Sequence, residues 1–180
     1  MKGVIFSEMI RWVEECLSPA VADRMITGAN LPNEGSYTSV GSYPHQEALA
    51  MMGQLVEITG RPAHDLCHDY GYWLATRFVQ LYPQMFNGYT DALTLLRDID
   101  NKHNTEVVKL YPDARTPAII ASVDGEDLVI SYASHRPFAD VAWGLVHGYI
   151  AYCGQTAQYI VTRDETTPGP HAARFVINRA

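Results

Sequence analysis

The fold is decided by residues 117–132, which read Pro-Ala-Ile-Ile-Ala-Ser-Val-Asp-Gly-Glu-Asp-Leu-Val-Ile-Ser-Tyr. Two runs rich in β-branched residues flank Asp124 and Gly125, and an Asp-Gly pair between such runs predicts a β-hairpin. Further β-rich runs lie at 157–162 and 173–178, and apolar spacing at about 136–153 is typical of a helix. This half of the chain therefore predicts a four-stranded antiparallel sheet with one inserted helix.

The preceding half of the chain carries helical patterns. The predicted helices span 4–16, 19–28, about 42–60, 62–82 and 89–110. A helical N-terminal half packed on a C-terminal four-stranded antiparallel sheet is an α+β fold. Residues 1–180 contain no internal repeat and no low-complexity linker, so we expect one domain.

Composition excludes several classes of protein. The 180 residues carry a net charge of −7 without a basic run, which argues against a nucleic-acid binder. No apolar stretch is long enough for a membrane span, and Glu8 and Arg11 interrupt the apolar start that a signal peptide needs. The three cysteines form no disulfide framework, so we expect a reducing, cytoplasmic location.

His103 lies in an apolar stripe of the predicted helix 89–110. The stripe shares one helical face and consists of Leu96, Ile99, His103, Val107 and Leu110. A histidine on such a face is either a core residue bonded to a carbonyl or an inward-facing ligand of a metal or haem iron. The stripe alone favours the interpretation of His103 as a core residue.

A short polar motif, Tyr132-x-Ser134-x-Arg136, follows the hairpin. Alternate residues of a strand share one side of the backbone, so the motif gathers two hydroxyls and a guanidinium fork. Such a fork binds a carboxylate with two hydrogen bonds, and hydroxyls can satisfy the remaining oxygens. The motif suits the two propionates of a haem, although its residue pattern is short enough to occur by chance.

A second cluster, His64, Cys67 and His68, falls on one face of the predicted helix 62–82. It allows a transition-metal site, a second haem site or a small metal-dependent hydrolase. The alternative is a partly exposed helix face with a buried cysteine. The sequence favours that alternative because it places no fourth ligand.

These motifs occur in a chain that resembles the H-NOX family, the haem-nitric oxide/oxygen binding domains related to the haem domain of soluble guanylate cyclase. The resemblance spans the whole chain. It includes Met-Lys-Gly-Val-Ile at 1–5, Glu-Val-Val-Lys-Leu-Tyr-Pro at 106–112, the Tyr132-x-Ser134-x-Arg136 motif and Gly-Leu-Val-His-Gly at 144–148.

The resemblance implies a b-type haem between the helical half and the sheet. It implies a distal helical subdomain over 1–60 and proximal helices with the sheet over 61–180. His103 would be the axial ligand of the haem iron, Pro117 would press on the porphyrin, and Tyr132, Ser134 and Arg136 would hold the propionates.

The side chains that the resemblance places in the distal pocket carry no hydrogen-bond donor. Oxygen-binding members carry a tyrosine at the position that matches Val141, and its partner position matches Leu74. The full implied lining is Ile5, Met9, Leu74, Phe78, Val141 and Leu145. Trp73 or Tyr72 remains open as a donor. Because bound oxygen needs a donor and nitric oxide does not, this lining implies selectivity for nitric oxide, with carbon monoxide as a second ligand.

The implied function is a stand-alone gas sensor rather than an enzyme. Nitric oxide would weaken or break the iron–His103 bond, and a separate protein would read the resulting shift. In bacterial relatives this partner is a histidine kinase or a cyclic-di-GMP enzyme. The alternative is a haem-free binding or scaffold module of the same fold, with His103 as a core residue.

Overall fold

A computed structural model gives the fold and describes residues 1–99, 105, 107–113, 115–164 and 169–180. The chain forms two compact units, Met1–Tyr70 and Gly71–Ala180. The division between them falls within one long helix. In the described part of the chain, no helix combines the length and the apolar character that crossing a membrane requires.

The first unit is helical. It contains α1 (Gly3–Cys16), α2 (Pro19–Ala29), α3 (His45–Thr59) and the first turns of α4 (Ala63–Leu81). Ser18 caps α2 by accepting a hydrogen bond from the Val21 N–H, and Asn30 ends that helix in the left-handed conformation. The interior is filled by fully buried side chains of Met9, Met25, Met51 and Leu55. The predicted helices of this unit are confirmed, with ends that differ by a few residues.

The second unit contains the rest of α4 and all of the sheet. Its other elements are α5 (Pro83–Phe86), α6 (Ala92–Arg97), α7 (Val108–Leu110), β1 (Ala118–Asp124), β2 (Asp127–Ala133), α8 (Ala139–Tyr152), β3 (Tyr159–Arg163) and β4 (Ala172–Arg179). The sheet has the strand order β1-β2-β4-β3, and every neighbouring pair is antiparallel. The α+β prediction is confirmed, and α8 is the inserted helix.

The predicted hairpin forms with a two-residue turn. Asp124 pairs with Asp127 across it, and Gly125 takes a φ of +64° at the first turn position. Glycine adopts this left-handed conformation without steric cost. The two turn residues are Gly125 and Glu126, one position later than the predicted Asp124-Gly125 pair.

One face of the sheet forms the core of the second unit. Leu128 and Ile130 on β2 point to the same side as Phe175 and Ile177 on β4, and all four are buried. Burying side chains of this size stabilises a fold by roughly 1.5–3 kcal/mol each. Residues of α6 and α8 belong to the same apolar cluster, so this face of the sheet locates both helices.

The prediction of one helix over 89–110 is wrong in two respects. The helix begins only at Ala92, because Asp91 caps it, and α6 ends at Arg97. Leu110, predicted to lie on the buried face, is 45% exposed. Thr105 and Val107 have π-helical conformation, which has more residues per turn than the α-helix on which the predicted stripe was based. The apolar stripe therefore does not continue to Leu110.

Two glycines allow α4 and α8 to approach closely within the second unit. A Cβ on Gly71 would lie 2.1 Å from the Val141 carbonyl oxygen, and one on Gly148 would lie 2.5 Å from the Cβ of Ala75. No side chain larger than hydrogen fits at either contact without displacing one of the helices.

We expect Gly148→Ala to destabilise the protein by about 1–3 kcal/mol, because the added methyl group overfills the α4–α8 contact. Gly53→Ala is the matched control. Gly53 lies in the middle of α3 with no atom within 4 Å of its added Cβ, so helix propensity alone should stabilise the fold by about 0.5–1 kcal/mol. Urea unfolding measures both changes, and equal effects of the two substitutions would contradict the packing argument.

We expect Asp91→Ala to remove a helix cap and to destabilise the protein by about 0.5–2 kcal/mol at neutral pH. The Asp91 side chain accepts hydrogen bonds from the Thr94 N–H at 2.8 Å and the Thr94 hydroxyl at 2.7 Å. These bonds, first that of the hydroxyl, lower the pKa of Asp91 below its ordinary value of 3.8. The stabilisation that depends on the negative charge of Asp91 is therefore fully present above about pH 3.8. It is lost as the pH falls through the lower pKa of the folded state.

The measurement is the free energy of unfolding of the wild type and of Asp91→Ala at about pH 7 and about pH 3, where the difference between them should shrink. Ser18→Ala is the control, because Ser18 caps α2 with a hydroxyl that does not titrate in this range. A difference for Asp91→Ala that stays constant with pH would refute the assignment.

Candidate functional site

The motif Tyr132-x-Ser134-x-Arg136 lies where β2 ends. Tyr132 is buried within the sheet, opposite Ile119 of β1 and Ala173 of β4. Ser134 and Arg136 are half-buried. The structure therefore brings the three side chains of the motif to one end of the central strand pair.

Hydrogen bonds fix the backbone of this strand end. The Ser134 N–H donates to the His171 carbonyl at 2.8 Å, and a ring nitrogen of His171 lies 3.3 Å from the Ser134 carbonyl oxygen. The Arg136 N–H donates to the Ser134 hydroxyl at 3.1 Å. The contact between β2 and β4 thus extends beyond the last strand residue, and it holds the segment that carries Ser134 and Arg136.

The Arg136 side chain has an unusual electrostatic environment. Its guanidinium donates to the carbonyl oxygen of Arg115 at 2.8 Å. Burial lowers the pKa of Arg136, and the positive charge of Arg115 lowers it further, while Tyr132 acts in the opposite direction. Burial also raises the pKa of Tyr132, against a hydrogen bond with Ser134 and the charge of Arg136. The site is thus a half-buried cation beside a second cation, together with two neutral hydroxyls.

Two exposed histidines, His135 and His171, lie beside this pair of cations. The positive charge of Arg136 is the largest cause of a lowered pKa for His135, and Arg115 and His171 add to it. No local sequence signal marks Arg115 and His171 as part of the site, because only the folded chain places them beside the motif. Gathered cations of this kind favour binding of an anion with more than one negative oxygen.

The predicted iron ligand, His103, lies outside the described residues. Its role therefore stays a prediction. The elements before and after its segment, α6 and α7, are both described. Pro117 is half-buried directly before β1.

The predicted pocket residues are distributed over both units. In the second unit, Leu74 and Val141 are buried, while Phe78 and Leu145 are half-buried and pack against the core cluster. In the first unit, Met9 is buried and Ile5 is half-buried.

The two possible donors, Tyr72 and Trp73, have other surroundings. Tyr72 is 44% exposed. The Arg77 guanidinium lies 5.6 Å from the centre of the Trp73 ring, in a cation–π contact.

The alternative metal site at His64, Cys67 and His68 does not form. The His64 side chain is 64% exposed and lies beside Asp65, whereas Cys67 is buried. Within the ranges that the structure describes, no group of three His, Cys, Asp or Glu side chains could hold a metal ion. The cluster is therefore the partly exposed helix face with a buried cysteine.

Comparisons with known proteins agree with the fold. The family model described as Haem-NO-binding matches residues 2–160. The chain is 32% identical to the IWP-051-bound H-NOX from Shewanella woodyi in the Fe(II)CO state, with a TM-score of 0.81 over 100% of this chain and 95% of that chain.

Two further solved structures are similar to the structure of this chain. The chain is 28% identical to the Fe(II) unliganded H-NOX from K. algicida, with a TM-score of 0.88 over 100% of this chain and 97% of that chain. An H-NOX from S. oneidensis in the Fe(II)NO state is 19% identical, with a TM-score of 0.86 and coverage of 100% and 99%, and supports the fold alone. No curated protein sequence matches. The match to the family model over most of its length means that this chain belongs to the H-NOX family of haem-based gas sensors.

Proposed function

We propose that this chain is a sensor of nitric oxide that uses a ferrous b-type haem, with His103 as the axial ligand of the iron. Carbon monoxide is its second ligand, and oxygen is excluded. The observation that carries the proposal is the cationic end of β2, where a half-buried Arg136 lies beside Arg115 and two hydroxyls.

The residues at this strand end fit the chemistry of the cofactor. Haem carries two propionates, and Tyr132, Ser134 and Arg136 supply hydroxyl and guanidinium donors for their oxygens. A carboxylate beside Arg136 would offset the burial and the repulsion that now lower the pKa of Arg136. The fit therefore rests on charge as well as on hydrogen bonding. Pro117, which precedes β1, would press on the porphyrin from the same end of the strand pair.

When bound, haem would supply the iron that takes up the gas, and His103 would hold that iron. Leu95 and Leu96 of α6, the helix that precedes His103 in the sequence, are fully buried. The S. oneidensis relative is described with nitric oxide on Fe(II), and the S. woodyi relative is described with carbon monoxide. The same two gases are the ligands proposed for this chain.

We attribute the exclusion of oxygen to Val141 and Leu74, the positions that match the tyrosine of oxygen-binding members and the partner of that tyrosine. Leu74 and Val141 are buried and have no hydrogen-bond donor in their side chains. Bound oxygen acquires negative character and needs a donor for tight binding, whereas nitric oxide does not. Ile5, Met9, Phe78 and Leu145 complete the proposed apolar lining.

The output of the sensor is a change of conformation that another protein reads. With haem bound, His103 would hold the iron, and nitric oxide on that iron would weaken or break this attachment. A ligand changes the protein only by the difference in its affinity for the two states. The partner is a separate cytoplasmic histidine kinase or cyclic-di-GMP enzyme, and this chain itself carries no catalytic activity.

We expect Arg136→Ala to release haem about ten- to a hundredfold faster than the wild type, because it removes a charge-assisted hydrogen bond worth about 1.5–3 kcal/mol. Transfer of haem to apomyoglobin measures this rate. Arg174→Ala is the matched control, since Arg174 on β4 is paired with Asp164 and Asp124. Equal rates for the two variants would contradict the assigned role of Arg136.

We expect the purified protein to show a Soret band that is lost in His103→Ala and restored by added imidazole. The reason is that imidazole supplies the missing nitrogen ligand to the iron. Ferrous protein should bind nitric oxide and carbon monoxide and should form no stable complex in air. A colourless protein that cannot be reconstituted with haem would establish the haem-free module instead, and a persistent oxygen complex would overturn the proposed selectivity.

A further inference from the structure

We propose that the segment Gly169–His171, which leads into β4, holds the propionate motif in place, with His171 as a positioning residue that bonds to both the N–H and the carbonyl of Ser134. This role rests on the proposed function, because it concerns the grip on the propionates. It lies outside the family motif, and the match to the family model ends at residue 160, before this segment begins.

His171 contacts the backbone of Ser134 twice. The His171 carbonyl accepts a hydrogen bond from the Ser134 N–H at 2.8 Å, and the Nδ1 of its ring lies 3.3 Å from the Ser134 carbonyl oxygen. A carbonyl oxygen can only accept, so Nδ1 carries the proton in this bond. The two bonds extend the pairing of β2 with β4 by one position beyond Ala133 and Ala172. They fix the residue that presents the Ser134 hydroxyl.

Ser134 in turn positions Arg136. The Ser134 hydroxyl accepts a hydrogen bond from the Arg136 N–H at 3.1 Å. The Arg136 carbonyl then accepts from the Phe138 N–H at 3.0 Å, directly before α8. The turn from β2 to α8 is therefore built on Ser134. Two of the three side chains proposed for the propionates take their backbone positions from the residue that His171 holds.

The segment that carries His171 is itself held by the two preceding carbonyls. The Pro170 carbonyl accepts a hydrogen bond from the N–H of Ala139, the first residue of α8, at 3.0 Å. The Gly169 carbonyl accepts from the guanidinium of Arg163, the last residue of β3, at 2.7 Å. Three consecutive carbonyls thus accept donors from the ends of β2 and β3 and from the start of α8.

Arg163 connects this segment to α8 a second time. Its guanidinium also pairs with the carboxylate of Asp140, and only 22% and 19% of the two side chains is exposed. Water and salt screen such a pair less than a pair on the surface. The planar guanidinium presents its donors at fixed angles, so it can hold the carboxylate and the Gly169 carbonyl together. The position of Gly169 is therefore set by both β3 and α8.

His171 acts on the propionates through Ser134. Donors that are already in place lose less conformational entropy when a ligand binds, so an ordered strand end retains its ligand longer. Without the bond from the His171 ring, the strand end is held by fewer bonds and Ser134 is less ordered. The expected change in haem release is about two- to tenfold, the range for one neutral hydrogen bond.

The test compares His171→Leu with His171→Asn in the full chain loaded with haem. Leucine has no donor, whereas the asparagine amide nitrogen can replace Nδ1 and donate to the Ser134 carbonyl. His64→Leu is the control, because the His64 side chain is 64% exposed in the first unit. Transfer of haem to apomyoglobin gives the release rate, and resonance Raman spectroscopy gives the propionate bending band. Hydrogen exchange of the Ser134 amide gives the local stability of the strand end.

We expect His171→Leu to release haem about two- to tenfold faster, to shift the propionate bending band and to speed exchange of the Ser134 amide. His171→Asn and His64→Leu should match the wild type in all three measurements. A His171→Leu protein that loses stability without a shift of the propionate band would overturn the positioning role. Failure of His171→Asn to restore the wild-type values would overturn it as well, because the ring would then act through something other than its donor.

Arg163→Gln tests the rest of the segment, because it removes the ion pair with Asp140. It should speed exchange of the Ser134 amide and release of haem in the same direction as His171→Leu, and unchanged values would contradict the role of the segment. A wild-type chain that binds no haem would defeat the proposed function. Exchange of the Ser134 amide in the haem-free chain would still test the bond from His171, so the two failures are distinguishable.

Discussion

The pairing of β2 with both β1 and β4 is the constraint on which the second unit depends. It sets the register that places Tyr132 between Ile119 and Ala173 on the buried face. A slip by one residue would turn Tyr132 outward and would also move the apolar side chains of β2 into solvent. The same pairing continues past the strand through Ser134 and His171, and the next bond, from the Ala139 N–H to the Pro170 carbonyl, positions the start of α8. The core, the cationic site and α8 therefore share one register.

This site also shows how the fold places charge for a ligand. Arg136 is half-buried beside Arg115, which raises the energy of its charged form in the absence of an anion. A group that binds the folded chain alone and supplies carboxylates stabilises it in proportion to the logarithm of its concentration relative to its dissociation constant. Haem in the proposed site would thus contribute to folding as well as to sensing.

The sequence predicts the sheet well because its signals are local. The glycine at the turn, the β-branched runs and the apolar spacing of α8 each depend on neighbouring residues, and the hairpin, strands and helix that they predict are confirmed. Arg115 and His171 could not be predicted as part of the site, because they come beside Arg136 and Ser134 only when β1 and β4 flank β2. The helix predicted over 89–110 begins only at Ala92 and is interrupted after Arg97, because the spacing of apolar residues does not register a cap at Asp91 or a break at Asp98. Burial of Cys67 away from the exposed His64 likewise depends on tertiary packing.

The strand end that carries Ser134 and Arg136 is fixed by backbone hydrogen bonds that continue the pairing of β2 with β4. Paired strands open in cooperative units, so this strand end is held as firmly as the sheet to which it is joined. Donors proposed for the propionates therefore keep their positions as long as the sheet itself stays paired. A cofactor site built on such a strand end does not have to pay for ordering its donors when the ligand binds.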